Sequence, residues 1–243
     1  ACAGASSIMG ITDQFVDWGL DMGQRSKSPL DRAFPFSYSV IPPSDDAIQR
    51  AELFWDELGI RRSESDFTIC YFGNIGRHAG LNAIIKAARI LKERAKPVRF
   101  VLCGSGEKVD EYRRIASDLA NVILPGWVGP AEIHVLMCRS SAGIDPLPET
   151  EDFLNTINNK AVEYLSGGLP LLVSPDKGVL HTLVNDNNCG LSYPYSDGEA
   201  LAEAVEHLLD TPDLRNRMAQ NALELFNKAF SPDVVYGNML DYL

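Results

Sequence analysis

The stretch Asn155-Thr-Ile-Asn-Asn-Lys-Ala-Val-Glu-Tyr-Leu-Ser-Gly-Gly-Leu-Pro170 decides how the rest of the chain is read. It predicts a short helix running into a buried strand. Thr156, Asn158 and Asn159 are candidate N-caps, since their side chains can accept from the free N–H groups of a first turn. Val162 and Leu165 recur at helical spacing. Gly167 and Gly168 stop the helix, and residues 169–173 continue as a strand. The polar side is the unusual part. Lys160 lies three residues before Glu163 and Asn159 four before it, so all three share one face. The free amides of a helix start favour an anion, and Lys160 adds a positive charge there. Glu163 falls about 6 Å beyond that start, at ~1.5 Å rise per residue. One ligand with a diphosphate at one end and a sugar diol at the other fits this spacing, because a carboxylate accepts from both hydroxyls of a ribose. A surface helix carrying an ordinary Lys–Glu pair would look the same locally, so the surrounding chain has to decide.

With 243 residues there is enough chain for a sizeable core in one large or two small domains. The 45% hydrophobic and 23% charged residues are ordinary for a globular protein. A formal net charge of −11 argues against binding a phosphate backbone, so no nucleic-acid partner is expected. No apolar run approaches the ~18 residues that span a bilayer, and no charged-then-apolar leader opens the chain. Cys2, Cys70, Cys103, Cys138 and Cys189 form no C-x-x-C pair and read as reduced, mostly buried thiols of a cytoplasmic protein. His78, His134, His181 and His207 lack metal-ligand spacing, so no metal site is expected.

Outward from the central stretch, strands are predicted over residues 6–11, 67–72, 98–103, 121–124, 142–144 and 189–192, with an apolar extended run at 34–41. Helices are predicted from Thr12 or Asp13 through Met22, after Ser44 to Leu58, and over 81–91, 107–120, 130–138, 179–185, 198–209, 212–230 and 232–243. A long polar loop is expected between 145 and 155. Strands alternating with helices imply βαβ units, a mainly parallel sheet and helices on both faces. Ligands of such sheets bind outside the carboxyl ends of the strands.

Four loops occupy those ends. Gly73-Asn-Ile-Gly-Arg-His-Ala-Gly80 has glycines at 73 and 76 that let backbone approach a ligand, with Asn74 between them and Arg77 able to clamp a phosphate or to stand in solvent. Gly104-Ser-Gly-Glu107 repeats that chemistry as a bare G-x-G. Pro125-Gly-Trp-Val-Gly-Pro130 offers Trp127 to a planar base, or caps the core with it, and sets Val128 beside it. Asp145-Pro-Leu-Pro-Glu-Thr-Glu-Asp-Phe-Leu-Asn155 gathers Asp145, Glu149, Glu151 and Asp152, which could orient sugar hydroxyls or be solvated. Their convergence at strand ends favours a nucleotide sugar.

Four segments, Tyr71–Leu81, Phe100–Glu107, Val122–Val128 and Asn158–Pro170, appear in that order and together resemble the C-terminal, donor-binding domain of glycosyltransferase family 4, in the branch that builds surface polysaccharides. The resemblance covers residues 67–243. It implies an α/β fold, a Rossmann-like parallel sheet with helices on both faces, as in the C-terminal half of a GT-B fold. It also implies a retaining, metal-independent enzyme that needs no cofactor and uses a UDP-linked donor sugar. Glu163 would hold the ribose. Gly73, Asn74, Gly76 and the backbone of Asn158, Asn159 and Lys160 would hold the diphosphate, with Arg77 and Gly104 beside it, and Trp127 and Val128 would border the base. Catalytic residues are not identified. The sequence departs from the family where an Arg, a Lys and a second Glu are common: Asn74, Ala79 and Asn155 stand there.

The resemblance divides the chain into 1–62, a remnant of an N-terminal acceptor domain plus linker, 63–230, the nucleotide-sugar domain, and 231–243, a crossover helix. The N-terminal half is then largely absent, and the chain is expected to be a fragment inactive alone. The acceptor, a glycan or a lipid-linked glycan, would bind through the missing domain, with the intact enzyme cytoplasmic or peripheral at the inner face of the membrane. The apolar faces carrying Phe15 and Trp18, and Val234, Val235 and Leu240, are expected to pack on each other, on the donor domain or in a dimer. Two other readings stay open: a nucleotide-sugar epimerase of the same fold, and a non-catalytic nucleotide-binding or scaffold module.

Overall fold

The computed structural model describes residues 2–61, 67–77 and 79–242; the boundary expected at 62/63, His78 and Leu243 lie outside the described residues. Six strands form the central sheet: β3 (Phe67–Asn74), β4 (Val98–Ser105), β5 (Val122–Gly126), β6 (Ala142–Pro146), β7 (Leu171–Ser174) and β8 (Gly190–Ser192). Their spatial order is β5-β4-β3-β6-β7-β8 and every pairing is parallel. The chain steps outward from β3 to β5, then returns to β6 on the other side of β3. That reversal opens a crevice at the carboxyl ends of β3 and β6, where open α/β sheets take ligands.

The strands read as continuous apolar runs because both faces are covered. Phe67, Ile69 and Tyr71 of β3, with Phe100 and Leu102 of β4, enter one core. That core is closed by α3 (Leu81–Glu93), α4 (Val109–Ile115) and α9 (Gly198–Asp210). Cys70, Phe72, Val101 and Cys103 enter the opposite core. It is closed by α2 (Asp45–Glu57), α5 (Pro130–Arg139), α7 (Asn159–Ser166), α8 (Val179–Asp186) and α10 (Pro212–Ala229). The parallel sheet with helices on both faces is therefore present as expected from the βαβ pattern.

Several bounds differ from the sequence reading. Helix α4 stops at Ile115 rather than near residue 120. Its terminal carbonyls are taken elsewhere: Ser117 Oγ donates to the Arg114 carbonyl at 2.9 Å, and Arg89 of α3 reaches the Ile115 carbonyl at 3.4 Å. The 145–155 loop contains a one-turn helix, α6 (Glu151–Leu154). Only β1 (Met9–Gly10) and β2 (Arg32–Ala33) form strands near the start, as a parallel two-stranded sheet; the apolar run 34–41 lies irregular across the second face. Ser37 Oγ holds it by donating to the Phe230 carbonyl at 2.9 Å.

Helix α1 (Asp13–Gly23) buries Val16 and Leu20 and sets the Phe15 and Trp18 rings 5.8 Å apart. Its N-cap residue, Thr12, donates to the Asn155 carbonyl at 2.6 Å, tying α1 to the chain that feeds α7. Helix α11 (Pro232–Tyr242) buries Val235, leaves Leu240 exposed, and brings Tyr242 5.4 Å from the Phe34 ring, with its hydroxyl donating to the Leu30 carbonyl at 2.7 Å. Among the described residues, no helix is long and apolar enough to cross a membrane.

Candidate functional site: a strand-end cleft around helix α7

The cleft begins where β3 and β4 end side by side. Gly73 pairs with Gly104 and Asn74 with Ser105. A Cβ on Gly104 would run into the Gly73 carbonyl oxygen, so only glycine lets the two strand ends lie this close. Gly106 crosses Ile75 under the same restriction. The result is a floor of bare backbone.

Helix α7 forms the opposite wall. Asn158 caps it, its side-chain oxygen accepting from the Ala161 N–H at 3.0 Å. The Val162 N–H goes to the Asn158 carbonyl. The N–H groups of Asn159 and Lys160 therefore remain at the mouth of the helix, where no intrahelical acceptor exists. Lys160 lays its stem over Gly73 and stands 5.6 Å from the centre of the Tyr71 ring. Its ammonium lies 3.3 Å from Asp145 Oδ1.

Glu163, one turn on, is half-buried. Burial raises its carboxyl above the ordinary range, while the nearby Tyr38 hydroxyl and the Lys160 charge pull it back. The Tyr38 hydroxyl is pushed up by burial and by that same carboxylate. Between these walls lies a cleft of about 680 Å³.

Of the residues singled out from sequence, Gly73, Asn74, Gly104, Trp127, Val128, Asn159, Lys160 and Glu163 all line this cleft. Trp127, 74% exposed, stands at its rim on the β5–α5 loop, while Val128 beside it is buried. Gly76 and Arg77 do not line it; they border an adjoining hollow of about 270 Å³ that shares Asn74 and Lys160 with the cleft. Arg77 Nε donates to Glu107 Oε1 at 2.9 Å in an exposed ion pair at the outer lip. Asn158 stands behind the wall as its cap.

Asp145 departs from its reading as a loop acid facing sugar hydroxyls or solvent. It is the end of β6 and fully buried, accepting from Asn158 Nδ2 at 2.6 Å. Asn155 lines a separate hollow with Gln14 and Thr182. Cys70, Cys103 and Cys189 are buried thiols, but Cys138 is exposed; burial pushes Cys70 up to about 12.

Sequence reasoning missed Tyr38, and it singled out Gly104 alone from the loop that also brings Ser105 and Gly106 to the cleft. Gly106 was visible as the second glycine of G-x-G. Tyr38 carried no local signal, since its part depends on a contact with a distant helix. Among the described residues, no three His, Cys, Asp or Glu side chains gather as a metal-ligand set.

A doubly covered parallel sheet with bare backbone and a helix start at its switch point defines a Rossmann-like, ligand-binding α/β domain of the GT-B pattern. The chain belongs to the Glycosyl transferases group 1 family, whose model matches residues 59–225. It is similar to alpha-D-kanosaminyltransferase of Streptomyces kanamyceticus, 27% identical over 227 residues, covering 91% of this chain and 55% of that protein. The O-antigen chain mannosyltransferase C of Escherichia coli is 27% identical over 178 residues, covering 71% of this chain and 45% of that protein. The chain thus spans about half the length of these relatives. The crystal structure of Anabaena Alr3699/HepE in complex with UDP-glucose superposes with a TM-score of 0.77 at 17% identity, over 98% of this chain and 63% of that one.

Proposed function

We propose that this chain is the donor-binding part of a retaining glycosyltransferase of family 4 that uses a UDP-linked sugar. The observation that carries the reading is the joint placement of the α7 amides, Lys160 and Glu163 along one wall of the switch-point cleft. The amides of Asn159 and Lys160 take the diphosphate, Glu163 accepts from the ribose diol, and Trp127 covers the base. As the bond to the sugar breaks through an oxocarbenium-like state, the same amides and Lys160 stabilise the departing diphosphate. The backbone floor at Gly73, Gly104 and Gly106 supports this by letting phosphate or sugar approach closely. The UDP-glucose held by the Anabaena structure supports a uridine donor.

The acceptor, a glycan or a lipid-linked glycan of surface-polysaccharide synthesis, binds through a further domain, and transfer needs that domain. In this reading residues 1–62 belong to the acceptor side and its linker, and 63–230 to the donor domain. Residues 231–243 are the crossover helix.

Calorimetry of the 243-residue chain with UDP, UDP-GlcNAc and GDP tests the donor site. UDP and its sugar should bind and GDP should bind less well. Glu163→Ala should weaken UDP by about tenfold or more, the worth of a charge-assisted hydrogen bond. No heat with any of the three would leave a scaffold module in its place.

A further inference from the structure

Asp145 is a fully buried carboxylate at the carboxyl end of β6, set directly behind Lys160. One oxygen accepts from Asn158 Nδ2 at 2.6 Å. The other, Oδ1, has no hydrogen bond, and the Lys160 ammonium stands 3.3 Å from it as its ion-pair partner. A buried charge needs an opposite one, and this pair supplies it. The price is paid on the ligand side, because the ammonium that borders the cleft is already neutralised from behind. Arg77, bordering the adjoining hollow, is likewise paired with Glu107. The pull of Lys160 on an anion is therefore weakened but not abolished, and the α7 amides share the task.

We infer that Asp145 is a positioning residue that holds Lys160 at the mouth of α7 and, as its counter-charge, limits how tightly a nucleoside diphosphate is held. This rests on the reading that Lys160 and the start of α7 take the diphosphate. The chemistry gives the arrangement a purpose. A transferase must release the diphosphate it generates, and a grip equally strong before and after transfer slows turnover.

Asp145→Asn keeps an acceptor for Asn158 and removes the negative charge. By calorimetry at low salt this variant should bind UDP roughly tenfold more tightly, the scale of one unit charge removed a few ångströms behind the site. Uridine, which has no phosphate, should bind as in the unaltered chain, and the gain for UDP should shrink as salt is added. A purely structural role would weaken both ligands or neither. UDP affinity that is unchanged or lower in a cooperatively melting Asp145→Asn protein overturns the inference. Should that variant not fold, Asp145→Ser carries the same comparison.

Lys160→Ala separates this outcome from failure of the underlying reading. If it leaves UDP affinity unchanged, the diphosphate is not at Lys160 and both fall. If it weakens UDP while Asp145→Asn brings no gain, only the counter-charge role is lost.

Discussion

If Glu163 holds a ribose as proposed, binding and stability are expected to respond to pH with opposite signs there. Burial raises its carboxyl above the ordinary 4.5, so the folded chain holds this proton where the unfolded chain has released it. Its contribution to stability is complete below the unfolded pKa and is lost as pH rises through the folded one. A ribose diol needs the ionised carboxylate, so binding gains over the same window. Uridine is the suitable probe, since it carries no phosphate to titrate. Its affinity is expected to fall as pH is lowered from neutral, with the fall starting above pH 4.5. A flat calorimetric profile would mean that no diol meets this carboxylate. Glu163→Gln, which cannot ionise, should abolish the pH dependence of binding and raise the melting temperature at neutral pH, the pattern of a site residue kept at a cost to the fold.

Helix α7 is an element whose start is built from three linked side chains, Asn158, Asp145 and Lys160, rather than one cap. Asn158 both caps Ala161 N–H and donates to Asp145. Asn158→Ala should therefore cost more than a lost cap: about 1 kcal/mol for the cap and about 1–3 kcal/mol for the buried oxygen left without its donor. A urea melt reads the sum, and a loss below about 1 kcal/mol would show that the Asp145 contact adds nothing. The helix, its cap and the Lys160–Glu163 face were legible in the sequence because spacing and end signals are local properties. Strands β3 and β4 were legible because burial on both faces leaves an unbroken apolar run. Asp145 was not, because an acid at the end of a strand and the acids of the following loop look alike until the sheet is assembled. The end of α4 was hidden for a related reason: Arg89 and Lys92 of α3 take its last carbonyls and the turn beyond.

In the molecule as a whole, the second core extends to chain that precedes the family match. Trp55 of α2 is fully buried in the second core where α2 packs on α5, and its indole N–H donates to the Glu132 carbonyl at 2.8 Å. Helix α2 thus covers α5 on the same face of the sheet as α7. Trp55→Ala is expected to destabilise the chain by about 3–5 kcal/mol, as for other large aromatic deletions in cores, visible as a lower denaturant midpoint. A loss near zero would mean that α2 is merely laid on the surface. At the opposite margin, Tyr242 is fastened to Phe34 and to the Leu30 carbonyl, and Arg32 lies over the same ring. Mechanically this seam is expected to act as a fuse. Because the Tyr242 contacts lie further along α11 than the Ser37–Phe230 bond, a pull on that helix is expected to part them before it strains residues 37–38 beside Glu163.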